Sequence, residues 1–218
     1  MTHIYSTGAI DIERVLLVQY PNGLDLRTLS KESNVSLGQT YNVSKALIRE
    51  RLAIRDSLRS KLKLMAPLDL LKKLAVFNNF LGTTQFIEYY TQEEDINKFL
   101  EKLKLIDEPD YAITGLTGAM LVAPLVRPTN IHMYVKKAED IEILANQLNL
   151  ELVEENGNIK FAIAKSSGIF YGVKKINDIK IISEVQLYID LFNYPARGYE
   201  AASEVCKIIE NKWKPFEG

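Results

Sequence analysis

Residues 33–67, SNVSLGQTYNVSKALIRERLAIRDSLRSKLKLMAP, carry the reading on which the fold turns. The first half has a helical pattern. Ser36 stands where an N-cap oxygen would meet free N–H groups. Val43, Ala46 and Leu47, with Tyr41 beside them, recur at helical spacing as an inward stripe. Gln39, Thr40, Asn42, Ser44, Lys45 and Arg49 fall mostly on the outer face. The second half admits two readings. Lys61-Leu62-Lys63-Leu64 alternates as a strand with its lysines toward solvent would. Leu47, Ile54, Leu58, Leu62 and Met65 could also line one face of a continued helix. The alternation is local and clean, and Pro67 closes it, so the spacing predicts a β-hairpin over residues 52–65.

Working outward, IDIERVLLVQYPNG (residues 10–23) reads as a helix with Ile12, Val15, Leu16 and Gln19 at helical spacing, ended by Pro21-Asn22-Gly23. LDLRTLSKES (residues 24–33) reads as a second, short helix with Leu26 and Leu29 inward. Three helices followed by a hairpin make a winged helix-turn-helix, in which the second helix braces the third and the third enters the major groove. Gln39, Asn42 and Ser44 are then candidates for hydrogen bonds to base edges, Lys45 and Arg49 for guanine or phosphate, and Thr40 for a DNA contact beside them. Arg59, Lys61 and Lys63 of the hairpin are candidates for backbone phosphates, and Arg55 for a further DNA contact. Winged helices also serve as protein–protein modules, so both readings stand at this point.

The charge pattern favours a polyanion. The 218-residue chain has a net charge of −1, but residues 1–67 carry an excess of Lys and Arg and residues 68–218 an excess of Asp and Glu. The cations concentrate between Lys45 and Lys63, where only Glu50 and Asp56 oppose them. A basic segment in a nearly neutral chain points to a local contact with a polyanion rather than general stickiness.

The 47% apolar and 25% charged composition is that of a globular protein with a real core. Cys206 is the single cysteine, so no intramolecular disulfide can form, which fits a reducing cytosol. No basic segment followed by an apolar run marks the start. The longest apolar stretch, AMLVAPLV (residues 119–126), is too short for a membrane helix and contains Pro124. A cytoplasmic, membrane-free protein is expected.

From about Leu68 the chain alternates helix and strand, so an α/β or α+β domain over residues 68–218 is expected to follow a helix-turn-helix domain over residues 1–67. Leu68, Leu71, Leu74 and Ala75 mark a helix. TTQFIEYYT is rich in strand formers. Ile96, Phe99, Leu100 and Leu103 mark a helix, YAIT a strand and GLTGAMLVA a turn and short helix. In NIHMYVKK, Ile131, Met133 and Val135 alternate with His132, Tyr134 and Lys136, which places His132 outward. Ile141, Leu144, Ala145 and Leu148 mark a helix. ELVEENGNIKFAIA reads as a hairpin about Asn156-Gly157, and Lys180-Ile181-Ile182 ends a further strand. Ser183-Glu184-Val185-Gln186 has the pattern of a capping box, with Val185, Tyr188, Ile189 and Phe192 behind it. Pro195 breaks that helix, and Ala202, Val205, Cys206 and Ile209 line the last.

Catalytic chemistry is poorly supplied. Neither His3 nor His132 has metal-ligand spacing with the other or with Cys206, which reads as a small inward hydrophobe. GLTG (residues 115–118) matches the GxxG of RNA-binding KH loops in form, but its middle residues are Leu and Thr, and a turn glycine with a close-packing glycine is the better reading. No phosphate loop or dinucleotide fingerprint is present. No cofactor or metal is expected.

SEVQLYIDLFNYPARGYEAASEV (residues 183–205) is the most distinctive stretch. Two helices meet at a corner where Gly198 relieves the turn. Arg197 either pins that corner or presents charge to a partner. Gln186, Leu187, Tyr188, Asp190, Leu191, Pro195, Arg197, Gly198, Glu200, Ala201 and Ala202 resemble the C-terminal signature of the AbiEi-type antitoxin and transcriptional-regulator family, and TGLTGAMLVAP resembles its short central helix. The resemblance implies a non-enzymatic, two-domain regulator. Its winged helix would bind operator DNA and repress its own operon. Its C-terminal domain would neutralise a nucleotidyltransferase-type toxin of a type IV system, without any need for stable binding. Palindromic half-sites would favour a homodimer or two monomers side by side. The alternatives are a protein-interaction module that holds a partner without reading DNA, and a divergent nucleotidyltransferase-like enzyme.

Overall fold

A computed structural model describes residues 6–57, 60–124 and 127–214. The chain opens with α1 (Thr7–Val18), α2 (Leu26–Glu32) and α3 (Leu37–Arg49), capped by the side chains of Ser6, Asp25 and Ser36. β1 (Ala53–Ile54) and β2 (Lys63–Leu64) then pair antiparallel, Ala53 opposite Leu64. Leu62 adds two backbone hydrogen bonds to Leu24, which ties the hairpin to the start of α2. Ala53, Leu62 and Leu64 are buried while Lys61 and Lys63 are exposed, so the alternation does specify a hairpin rather than a continued helix. Pro67 does more than close it. Its fixed φ opens the next helix, α4 (Pro67–Phe77).

The rest is a three-layer assembly: α5 (Phe80–Thr83), β3 (Phe86–Tyr90), α6 (Ile96–Leu103), β4 (Tyr111–Thr114), α7 (Gly115–Val122), β5 (Ile131–Val135), α8 (Ala138–Leu148), β6 (Glu151–Leu152), β7 (Ile159–Ile163), a one-turn 3₁₀ helix (Ser167–Phe170), β8 (Lys174–Ile176), β9 (Ile179–Ile181), α9 (Glu184–Phe192) and α10 (Gly198–Trp213). The strands form one mixed sheet in the order β6-β3-β7-β5-β4-β9-β8. Successive side chains leave opposite faces of a strand. Ile113, Met133, Val135 and Phe161 meet Phe99 and Leu103 of α6 and Leu144 and Leu148 of α8 on one face. Ala112, Tyr134 and Ala162 meet the layer of α1, α4, α9 and α10 on the other.

Two expectations are corrected here. His132 does not face solvent. β5 lies mid-sheet with both faces covered, and all five of its residues are buried. A strand inside a three-layer fold has no outer face, so alternation there separates two cores rather than core from water. Residues 151–163 are also not a hairpin. β6 pairs with one edge of β3 and β7 with the other, with Tyr89 opposite both Leu152 and Ile159. The Asn156-Gly157 turn is real, with Asn156 in the left-handed region at φ 62°. It carries the chain from one side of β3 to the other. Gly157 donates its N–H to Glu88 Oε2 at 2.9 Å. A Cβ there would come within 2.6 Å of the Tyr89 carbonyl oxygen. Gly157→Ala is therefore expected to cost about 2 kcal/mol through displaced backbone. Urea unfolding measures it, and an unchanged midpoint would show that β3 moves freely.

The boundary near Pro67 does not divide the core. α1 is buried from Ile12 to Leu17 and packs on α2 and α3 on one side and on α4, α9 and the 3₁₀ helix on the other. One apolar cluster runs from Leu47 and Leu62 through α1 to Leu187 and Val205.

Candidate nucleic-acid interface

α3 completes a turn every 3.6 residues, so residues at i, i+3, i+4 and i+7 share a stripe. Thr40, Val43, Ser44 and Leu47 are that stripe, and all four are buried. Thr40 and Ser44 are therefore not outward-facing readers of bases. Thr40 Oγ1 donates to the Ser36 carbonyl at 3.0 Å and Ser44 Oγ to the Tyr41 carbonyl at 2.7 Å. Two small hydroxyl side chains in the stripe satisfy themselves on their own helix and let α1 and α2 approach closely. Gln39 is also engaged. Its Nε2 donates to Ser6 Oγ at 3.2 Å, and its side chain lies over Gly8, holding the start of α1.

Asn42, Lys45 and Arg49 are exposed along one side of α3, and Lys61 and Lys63 are exposed on the hairpin. Arg55 is half-buried, and its Nε donates to the Ser60 carbonyl at 3.0 Å, bracing the hairpin. Arg59 lies outside the described residues, as does His3. Tyr41, expected near the core, instead faces out, with the Lys45 ammonium 4.9 Å from its ring centroid. Leu37 is 48% exposed and Tyr41 38%. With Gly38 they form one wall of an open groove of about 720 Å³, whose other walls are Asp25, Leu26 and Arg27 at the start of α2 and Arg55 of the hairpin. Asp25 is the acidic residue among these lining residues, and it stays ionised at neutral pH. Its carboxylate caps α2 by accepting from the Arg27 and Thr28 N–H groups and the Thr28 hydroxyl, and the Thr28 hydrogen bonds hold its pKa below the usual value. Sequence reasoning missed Arg27, Leu37 and Tyr41. The available signal was position: each lies off the buried stripe of its helix.

The distinctive C-terminal stretch divides into an inner and an outer part. The inner part is a buried polar bridge. Arg14 Nε of α1 donates to Gln186 Oε1 at 2.6 Å, and Arg14 Nη1 pairs with Asp11. Gln186 Nε2 donates to Asp190 Oδ1 at 2.7 Å. Asp190 accepts from the Thr114 hydroxyl at 2.7 Å and the Tyr134 hydroxyl at 3.2 Å. Ser166 Oγ donates to Asp11 Oδ1 at 2.7 Å. Burial pushes the Asp190 carboxyl up to about 6, against the hydrogen bonds from Thr114, Gln186 and Tyr134. The capping box is only half formed. Ser183 Oγ accepts the Gln186 N–H, but the Gln186 side chain turns into the bridge instead of back to the cap.

The outer part is the corner at Pro195. The left-handed residue there is Ala196, at φ 56°, not Gly198. Gly198 is required by contact, since a Cβ would meet Tyr194 Cβ at 2.5 Å. Arg197 is exposed and donates from Nε to Glu200 Oε2 at 3.0 Å within the first turn of α10, beside exposed Tyr199. In GLTG, Gly115 takes a left-handed φ of 62° and Gly118 packs on Leu187, as turn and packing glycines.

Among the described residues no cluster of His, Cys, Asp and Glu could hold a metal. No helix among them is long and apolar enough to cross a membrane. Burial holds the His132 imidazole down to about 4, and its ring packs edge-on against Phe80, Phe86 and Tyr194. Cys206 is half-buried, and burial pushes its thiol up.

A small helical unit with a hairpin, fused through a buried polar bridge to a seven-stranded mixed sheet, defines a class of α+β protein. Residues 63–211 match the family model described as a transcriptional regulator, the AbiEi antitoxin of type IV toxin–antitoxin systems, and the chain belongs to that family. The match begins in β2 and runs into the last turns of α10, so α1, α2 and α3 lie outside it. No curated protein and no solved structure matches the chain.

Proposed function

We propose that this chain is a DNA-binding transcriptional regulator that represses its own operon as the antitoxin of a type IV system. Residues 1–67 act as a winged helix-turn-helix and residues 68–218 as the antitoxin domain. The observation that carries the DNA reading is the exposure of three side chains of α3, Asn42, Lys45 and Arg49, together with that of Lys61 and Lys63 on the hairpin, whose β1 packs on α3. Asn42 has the donor and acceptor pair that matches adenine in the major groove. The cations supply the sequence-independent attraction to phosphate. Thr40, Ser44 and Gln39 serve the helix packing rather than the contact.

Fluorescence anisotropy against the protein's own promoter and a scrambled duplex, at two salt concentrations, tests this. Each cation taken away from a phosphate lowers the slope of log affinity against log salt by about 0.9. Lys45→Ala/Arg49→Ala is therefore expected to lower the slope by about 2 and to weaken binding roughly 30-fold at 0.15 M salt. Equal, salt-insensitive binding of both duplexes by both proteins overturns the reading.

The antitoxin role rests on family membership. Its partner would be a nucleotidyltransferase-type toxin. The feature that favours a protein contact is the exposed corner carrying Arg197 and Tyr199, remote in the chain from the cationic face.

A further inference from the structure

We propose that Leu37 and Tyr41 read thymine methyl groups in the major groove, so that the protein selects sites by apolar contact as well as by hydrogen bonding. This rests on the DNA reading above and gives it a substrate class: A·T-containing sites with thymines at a fixed spacing.

The geometry supports each step. Leu37 opens α3, and the N-terminal residues of a recognition helix are those that meet base edges. Leu37 and Tyr41 are four residues apart, one above the other on the same side of the helix. Both are large apolar side chains left partly in water. A single exposed leucine needs no explanation. Two on one wall of one groove, at the tip of the helix that carries Asn42 and Lys45, mark a contact surface. Gly38 stands between them with nothing within 4 Å of where a Cβ would sit. Packing does not demand a glycine there, and its bare backbone lowers the helix profile beside the two apolar side chains.

Charge selects the occupant. Arg27 and Arg55 line the same groove against Asp25, the one anion among its described lining residues, and Lys45 and Arg49 continue along the helix, so the apolar wall is set among an excess of cations. A polyanion that also offers apolar knobs fits that combination. The thymine methyl is the apolar feature of the major groove. The spacing also fits. Four residues at 1.5 Å rise span about 6 Å, slightly less than two base steps of about 3.4 Å. The two methyls are thus expected one to two base pairs apart, with an adenine within reach of Asn42, the residue after Tyr41 and about 100° round the helix from it.

The test uses the full-length protein and a duplex selected from a random pool. Each thymine is replaced in turn by deoxyuridine, which removes only the methyl. Burying one methyl is worth about 0.8 kcal/mol, or roughly fourfold in affinity. Two neighbouring positions are expected to show that loss. Leu37→Ala should erase it at one of them, while Tyr41→Phe, which keeps the ring, should leave both. Equal affinity for thymine and uracil duplexes at every position, with salt-dependent binding intact, overturns the methyl reading and leaves the DNA reading standing. A pool that enriches no duplex, with binding insensitive to salt, removes both and assigns the groove to a protein partner.

Discussion

Arg14→Met is expected to destabilise the entire chain by about 3 to 5 kcal/mol, the cost of leaving a buried ion pair without one partner. Arg14 is 5% exposed and links α1 to Gln186 and, through it, to Asp190 and Tyr134. Methionine keeps most of the side-chain volume, so the loss is electrostatic rather than a cavity. Asp11 would keep the Ser166 hydroxyl but no cation, and Gln186 Oε1 would lose its charged donor. Gly168 packs tightly against Asp11 and Arg14 on one side, but Asp11, Arg14, Tyr134 and Gln186 also line a cavity of about 250 Å³, so water can take part of the vacated place and the loss is expected at the lower end of that range. Removing Asp11 as well should return part of the loss, since replacing both members of a buried pair is far cheaper than removing one. The chain's single tryptophan, Trp213, reports on the joint, because its ring meets Tyr20 beyond α1 edge-on at 5.2 Å. Urea unfolding followed by Trp213 fluorescence and by far-UV circular dichroism should give coincident midpoints that fall together in the variant. Two separated transitions would show that residues 1–67 melt on their own and that the shared core does not couple the parts.

That bridge also shows what a sequence reveals and what it withholds. The three N-terminal helices, their Ser36 cap and the hairpin were legible because each depends on neighbours within a turn or two. The signature stretch was legible as a pattern, and the family match covers it. Its meaning was not legible: Gln186 and Asp190 look like the polar face of an amphipathic helix, yet α9 is buried from Glu184 to Leu191 and its polar side is met by Arg14, 172 positions away. The same long range hid the pairing of residues 151–163. A hairpin is the local solution to two strands and a turn, and only the presence of β3 between them excludes it. β8 was missed because three residues are too few to alternate, although Asn177 and Asp178, both left-handed at φ 50° and 64°, form the turn chemistry of a tight hairpin to β9. On α3 the error was one of phase. Counting Thr40 and Ser44 as outward by residue type overrode the helical angle that puts them with Val43 and Leu47.

Glu13 yields the second large effect, as a pH dependence. It sits on α1, 1% exposed, with Oε1 buried and without a hydrogen-bond partner. Burial pushes its carboxyl up to about 8; Glu50 at the end of α3 adds to this, and Lys73 of α4 and Arg14 oppose it. Near neutral pH the folded protein thus holds a proton that the unfolded chain releases. A carboxyl raised on folding stabilises at low pH, and that stability is lost as pH rises through the folded value. Other buried groups act elsewhere. Asp190 is raised only to about 6, and its contribution is spent by there. His132, held down to about 4, works in the opposite sense and costs stability as pH falls from its ordinary 6.5. The window from 6.5 to 8 therefore isolates Glu13. At about 1.4 kcal/mol per pH unit, the wild-type protein should lose roughly 2 kcal/mol across it. Glu13→Gln, neutral at every pH and of the same shape, should lose none of that and should be the more stable of the two at pH 8. Denaturant midpoints at pH 6.5, 7.2 and 8 decide the matter: parallel losses in both proteins would mean that Glu13 is already ionised in the fold, its charge held by the Lys73 ammonium that otherwise pairs with Glu50. In that case α1, α3 and α4 would meet around a buried charge, and Glu13→Gln would destabilise the protein at every pH instead of stabilising it at high pH.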